Sequence, residues 1–133
     1  MKRPRILVVG SFVMDQIAST VVFPREGQTV LGRSFHKAPG GKGANQAVQA
    51  SRLGADVTMI GKLGRDANGK EMLDTLHSAG VNTDRVLFDD TCASGCAVII
   101  LEETPGKATK NRIIVISGSN MTISVSYQRS SNI

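Results

Sequence analysis

The sequence predicts an α/β fold built around a parallel sheet. Three observations carry that expectation: short β-rich runs recur, two amphipathic helical stretches separate them, and a glycine closes each helix. The chain has 133 residues, enough for one domain with its own core. At 41% apolar and 20% charged residues it has the composition of a folded globular protein, which argues against intrinsic disorder.

The elements follow in order. Ile6-Leu-Val-Val-Gly10 reads as a short strand buried in a sheet that is covered on both faces. Val21-Val22-Phe23 and Thr29-Val30-Leu31, on either side of a Pro24–Gly27 turn, read as a hairpin. Ala44, Ala47, Val48 and Ser51 then share one helical face of small residues, suited to close packing on a sheet. Gly54 stops that helix, and Asp56–Ile60 is the next strand. Asp66 is placed to cap a second helix with the apolar stripe Met72, Leu73, Leu76 and Ala79. Gly80 ends it, and Arg85–Phe88 resembles a third strand. Strand, helix, strand, helix, strand is the pattern of right-handed βαβ units. From Ser94 the pattern changes. Gly95–Leu101 and Arg112–Ile116 flank a polar segment, residues 102–111, as a hairpin with a long tip. Residues 125–133 show no periodicity and read as an irregular tail cut short.

Several function classes are disfavoured. No apolar run approaches the roughly 20 residues needed to cross a bilayer, and Ile6–Gly10 is too short for a signal-peptide core, which points to the cytoplasm. The net charge of +5 comes from scattered residues, with four Phe, one Tyr and no nucleic-acid motif, so a mildly basic surface suited to phosphates is expected. Cys92 and Cys96 lie far in sequence from His36 and His77, so they read as plain thiols in or near a strand.

The segment that points to chemistry is Gly40-Gly41-Lys42-Gly43-Ala44-Asn45-Gln46-Ala47, a glycine turn feeding a helix N-terminus. Glycines let backbone N–H groups approach a ligand, and the helix end favours oxygen-rich partners. Lys42 adds a cation with three donors; Asn45 adds a donor and an acceptor. Such a site suits a polyhydroxylated ligand. The spacing fits neither the phosphate loop of nucleotide hydrolases, because Gly43 follows Lys42, nor the dinucleotide fingerprint, because Gly10 has no second glycine near it.

From Gly40 through Asn45, Ala47, Gly54 and Gly64, the sequence resembles the first signature of the ribokinase-like (phosphofructokinase-B type) carbohydrate kinases. Val8-Val9-Gly10-Ser11 with Asp15, Phe23-Pro24 to Gly27, and Gly118-Ser119-Asn120 match the same family at corresponding distances. The resemblance covers about residues 5–124 and implies a partial three-layer ribokinase-like fold, with a small β-lid from strands within about 16–38 and 94–117. It implies that Asp15 accepts hydrogen bonds from two sugar hydroxyls. Gly40, Gly41, Lys42, Gly43 and Asn45 would hold the others. One departure is Val13, which stands where bacterial members often carry Asn and removes a polar contact.

The activity implied is ATP-dependent phosphorylation of a sugar hydroxyl, ribose to ribose 5-phosphate, with Mg2+, a monovalent cation such as K+, and a homodimer clasped through the lid. In the family the general base is an Asp in a glycine-rich segment near the C-terminus, and no such segment occurs here. The chain is therefore expected to be the sugar-holding N-terminal part and inactive alone. Asn68-Gly-Lys-Glu71 fits the family's N-x-x-E pattern but falls too early in the chain, so it is assigned to a helix start. Two alternatives stay open: a kinase of a nucleoside or another furanose, and a non-catalytic sugar-binding derivative.

Overall fold

The computed structural model describes residues 2–124, so the expected tail at 125–133 lies outside the described residues. Strand β1 (Arg5–Val9) runs parallel to β4 (Asp56–Ile60), with Ile6 opposite Val57 and Val8 opposite Met59. Between them in sequence come β2 (Val13–Thr20), β3 (Ser34–Gly40) and helix α1 (Lys42–Arg52). Strand β5 (Lys62–Gly64) continues β4 after Gly61 and pairs in parallel with β6 (Leu87–Asp89). Helix α2 (Ala67–Ser78) connects them, and Asn82 bridges in parallel to Thr58. These are the expected βαβ units.

Both helix starts and stops have local causes. The Asp66 side chain caps α2 by accepting from the Gly69 N–H at 2.7 Å. Gly54 (φ 96°) and Gly80 (φ 78°) follow the two helices in the left-handed conformation that ends them. The core of this α/β body joins Ala44 and Ala47 of α1, Val57 and Met59 of β4, Leu63 of β5, and Met72 and Leu76 of α2.

Two expectations are corrected. The first strand is not covered on both faces: Val8 packs on the core, but Leu7 is 60% and Val9 63% exposed. The reason is that the core residues of α1 and α2 gather on the face of Val57 and Met59, while Leu7, Thr58, Val9 and Ile60 alternate to the other. The early hairpin is also misplaced. Residues 21–33 form a loop, and the strands are β2 before it and β3 after it. The β-branched residues at 21, 22 and 30 meet no partner strand. Instead Glu102 accepts from the Phe23 N–H at 2.8 Å, and the Arg112 guanidinium lies 4.3 Å over the Phe23 ring.

Strands β2 and β3 are antiparallel, as are β7 (Cys96–Glu102) and β8 (Lys110–Ile116), and β2 runs parallel to β7. The result is one four-stranded sheet in the order β3-β2-β7-β8. Its strands fall within or close to the two ranges expected for a lid. A short 3-10 helix, Gly118–Thr122, follows β8. Cys92 and Cys96 are free thiols, the second opening β7.

Candidate functional site

Asp15 is the third residue of β2, with Ala38 beside it on β3 and Ala97 on β7. An inner strand of the sheet thus holds its backbone on both sides. Its carboxylate is half-buried, and burial alone pushes it above the ordinary value of 3.8; among the described residues no donor or cation pulls it back. A half-buried acceptor without protein partners is poised for donors from a ligand.

The glycine segment lies against it. A Cβ on Gly40 would stand 3.1 Å from Asp15 Oδ2. Gly41 has φ 98°, and a Cβ there would stand 2.6 Å from the Ser11 carbonyl oxygen and 2.9 Å from the Val13 nitrogen. At Gly43 it would stand 2.7 Å from Gly10 Cα. The turn is therefore pressed flat onto the link between β1 and β2, and any side chain at these positions would push the two apart. Helix α1 starts at this junction, with Gly41 as a cap that has no side chain and no acid in the first turn. The Ala44 N–H reaches the Ser11 carbonyl at 3.3 Å. The positive end of the helix thus stands beside the turn that contacts Asp15.

Of the expected site residues, the structure brings Asp15, Gly40, Gly41 and Gly43 into one junction. Lys42 and Asn45 are on the first turn of α1 with exposed side chains. Asn45 lines a narrow cleft with Pro39, Gly40 and Val48 rather than meeting Asp15. The Val13 backbone closes one side of the junction.

Sequence reasoning missed one group that holds this junction from behind, Asn120, and two carboxylates that brace segments away from it, Asp66 and Asp89. Asn120 accepts from the Phe12 N–H at 2.9 Å and donates to the Phe12 carbonyl at 2.7 Å. The only signal was the spacing of Gly118-Ser119-Asn120, which carried no role. Asp66 does more than cap: it also accepts from the Ser94 N–H (2.8 Å) and hydroxyl (2.7 Å). Burial pushes the Asp66 carboxyl up, but the bonds from Ser94 and Gly69 together outweigh it and hold the group below the usual range. Asp89 is held far below that range by the Thr122 hydroxyl, the Cys92 and Thr91 N–H groups, and Lys62 at 3.1 Å. Asn68 and Glu71 stand in the opening turns of α2, as expected, and each accepts from Lys37 of β3 at 3.1 Å.

Among the described residues no three His, Cys, Asp or Glu side chains gather as a metal site. No helix among these residues is long and apolar enough to cross a membrane.

Residues 3–122 match the family described as pfkB family carbohydrate kinase. The chain belongs to that family. It is 45% identical over 122 residues to a ribokinase of Bacillus subtilis, a match covering 92% of this chain and 40% of the relative. It is 37% identical over 119 residues to a deoxyribokinase of Salmonella typhi, covering 90% and 38%. Among solved structures, an Arabidopsis thaliana ribokinase complexed with ribose and ATP is 33% identical, with a TM-score of 0.77 over 90% of this chain and 38% of that one. The chain therefore spans 40% or less of the length of these relatives.

Proposed function

We propose that the protein to which this chain belongs transfers a phosphoryl group from ATP to a sugar hydroxyl, forming ribose 5-phosphate from ribose. The observation that carries this reading is the half-buried Asp15 carboxylate, which has no hydrogen-bond partner among the described residues and lies against Gly40, just before a start of α1 that no side chain caps. A carboxylate accepts from two neighbouring hydroxyls at once, with the stronger bonds of a charged acceptor. The Lys42 and Asn45 side chains, with the Lys42 and Gly43 N–H groups that open the helix, donate to the sugar's other oxygens, while the Ala44 N–H stays on the Ser11 carbonyl.

In this reading the chain's own residues bind and orient the acceptor. The general base, the ATP site and the cation ligands come from beyond them, so the 133 residues alone hold a sugar without activating it. A cytoplasmic setting fits the two free thiols.

Two copies join through the four-stranded sheet, acting as lid and clasp. This is supported by the outer strand, where Ile113 is 50% and Ile114 66% exposed.

Screening ribose, deoxyribose, other sugars and nucleosides by ADP release from the whole protein, with magnesium, tests the reading. Ribose is expected to support the highest kcat/KM. Preference for a nucleoside over every free sugar would overturn it in favour of a nucleoside kinase. Preference for deoxyribose would favour the furanose alternative, to which the Salmonella relative gives weight.

A further inference from the structure

The three-residue link between β1 and β2, Gly10-Ser11-Phe12, carries the chain from the body sheet to Asp15. One face of this link is fixed by the glycine turn, through Gly41 and Gly43. The Phe12 side chain is fully buried, against Gly61. Yet Phe12 lies outside both strands, so its peptide groups need partners from elsewhere.

One side chain supplies both. Asn120 Oδ1 accepts from the Phe12 N–H at 2.9 Å, and Asn120 Nδ2 donates to the Phe12 carbonyl at 2.7 Å. The second Nδ2 hydrogen serves the Ser117 carbonyl at 2.8 Å, which ties the clamp to the end of β8. The amide's orientation is fixed by this pattern, because the flipped amide would set an oxygen against two carbonyls. Partner and clamp are 108 positions apart in sequence. The next link in the same direction is the Met14 N–H on the Gly95 carbonyl at 2.9 Å, one residue before Asp15.

We propose that Asn120 is a positioning residue for the sugar site. By holding the Phe12 peptide from behind, it fixes where β2 begins and thus where the Asp15 carboxylate stands against the glycine turn. The proposal rests on the reading of this junction as a sugar site. Asn is suited to the task because it offers an acceptor and two donors in one plane. An aspartate of the same shape keeps the acceptor and turns both donors into repulsion against the Phe12 and Ser117 carbonyls.

The test uses the whole kinase carrying Asn120→Asp and, as a second variant, Asn120→Ala. Each is expected to raise the ribose KM about ten- to a hundred-fold, the size of effect that a misplaced binding group produces, with the ATP KM unchanged. Asp66→Asn, which keeps an α2 cap but sets an amide N–H against the Ser94 N–H, serves as the comparator and should leave the ribose KM within about two-fold of wild type while still lowering the unfolding midpoint. Amide exchange in the free protein is read in parallel: Phe12, Met14 and Asp15 should exchange faster in both Asn120 variants and not in Asp66→Asn. If both Asn120 variants keep the wild-type ribose KM, or if Asp66→Asn raises it equally, the proposal is overturned. If the wild-type protein shows no turnover of ribose, the sugar reading fails. The positioning claim is then decided by the exchange rates alone, and unchanged rates at Phe12 and Asp15 would overturn it too.

Discussion

The α/β body and the four-stranded sheet use similar residues to different ends. In the body, apolar side chains converge: Val57, Met59, Leu63, Met72 and Leu76 are all at most 2% exposed. In the four-stranded sheet, an equally apolar strand, Arg112–Ile116, is exposed along its length, and what holds it is backbone pairing to β7. The body is therefore stabilised by burial, which Met14 of β2 joins, and the outer strand of the sheet by hydrogen bonds and edge contacts such as Phe23 with Arg112. Hydrophobicity alone does not say where a core lies; the difference is whether a helix is positioned to cover the strand.

The largest expected effect lies in the body. Leu63→Ala should lower stability by about 2–5 kcal/mol in urea unfolding, as for truncation of a fully buried side chain. A loss no greater than that from a β8 substitution would erase the distinction between the two regions.

Next comes the junction where the regions meet. Asp15→Ala should weaken ribose use about ten- to a hundred-fold while sparing ATP use, since removing a charged acceptor costs about 1.5–3 kcal/mol. Because burial raises the Asp15 pKa above 3.8, the carboxylate takes up its proton at a higher pH than a free one. Ribose affinity should therefore fall with pH before that value is reached. The linkage runs the other way for folding: a raised carboxyl stabilises below its unfolded value and loses that stability as pH rises through the folded one. At neutral pH Asp15→Asn should thus unfold no earlier than wild type. Unchanged ribose KM in Asp15→Ala would show the residue to be a strand position only.

Third, Ser94→Ala should cost about 1–3 kcal/mol, because the Gly64 N–H loses its acceptor and Asp66 loses a donor. Asp66 and Asp89 both have lowered pKa values, so the stability they add is present above 3.8 and disappears as pH falls through the folded values. An acid titration followed by circular dichroism should show unfolding at higher pH in Ser94→Ala than in wild type. An identical acid midpoint would remove Asp66 from the account.

The smallest effect is expected on the open sheet. Ile114→Thr should change unfolding by no more than about 0.5 kcal/mol, as for an exposed position. Under the dimer reading it should weaken self-association in sedimentation velocity; unchanged association would remove that face from the interface.

The body was legible because its signals are local. Asp66, Gly54 and Gly80 mark helix ends by their own chemistry, and the small face of α1 reads directly from Ala44 and Ala47. The glycine site was legible for the same reason: close approach leaves no alternative to glycine at Gly41 and Gly43. Strands β2 and β3 were displaced in the reading because β propensity at Val21, Val22 and Val30 outweighed that of polar residues such as Gln16 and Lys37, which in the fold stand opposite each other. The exposure of Leu7 and Val9 was illegible, since a run of apolar residues does not reveal which faces its neighbours cover. Asn120 was unreadable as a clamp because its partner lies at the other end of the chain.

The parallel contact between β2 and β7 has a consequence for the order of assembly. Met14 pairs with Cys96, and everything from β3 to β6 lies between them in sequence. The two hairpins can each close early, as local events, but joining them closes a loop that contains α1, β4, β5, α2 and β6. Closing so long a loop costs entropy before any contact repays it, which slows folding. Of the strand pairs this one spans the most chain, so it is expected to form late in assembly. Asp15 gains its second flanking strand only in that step, so the binding junction is expected to be completed late in folding.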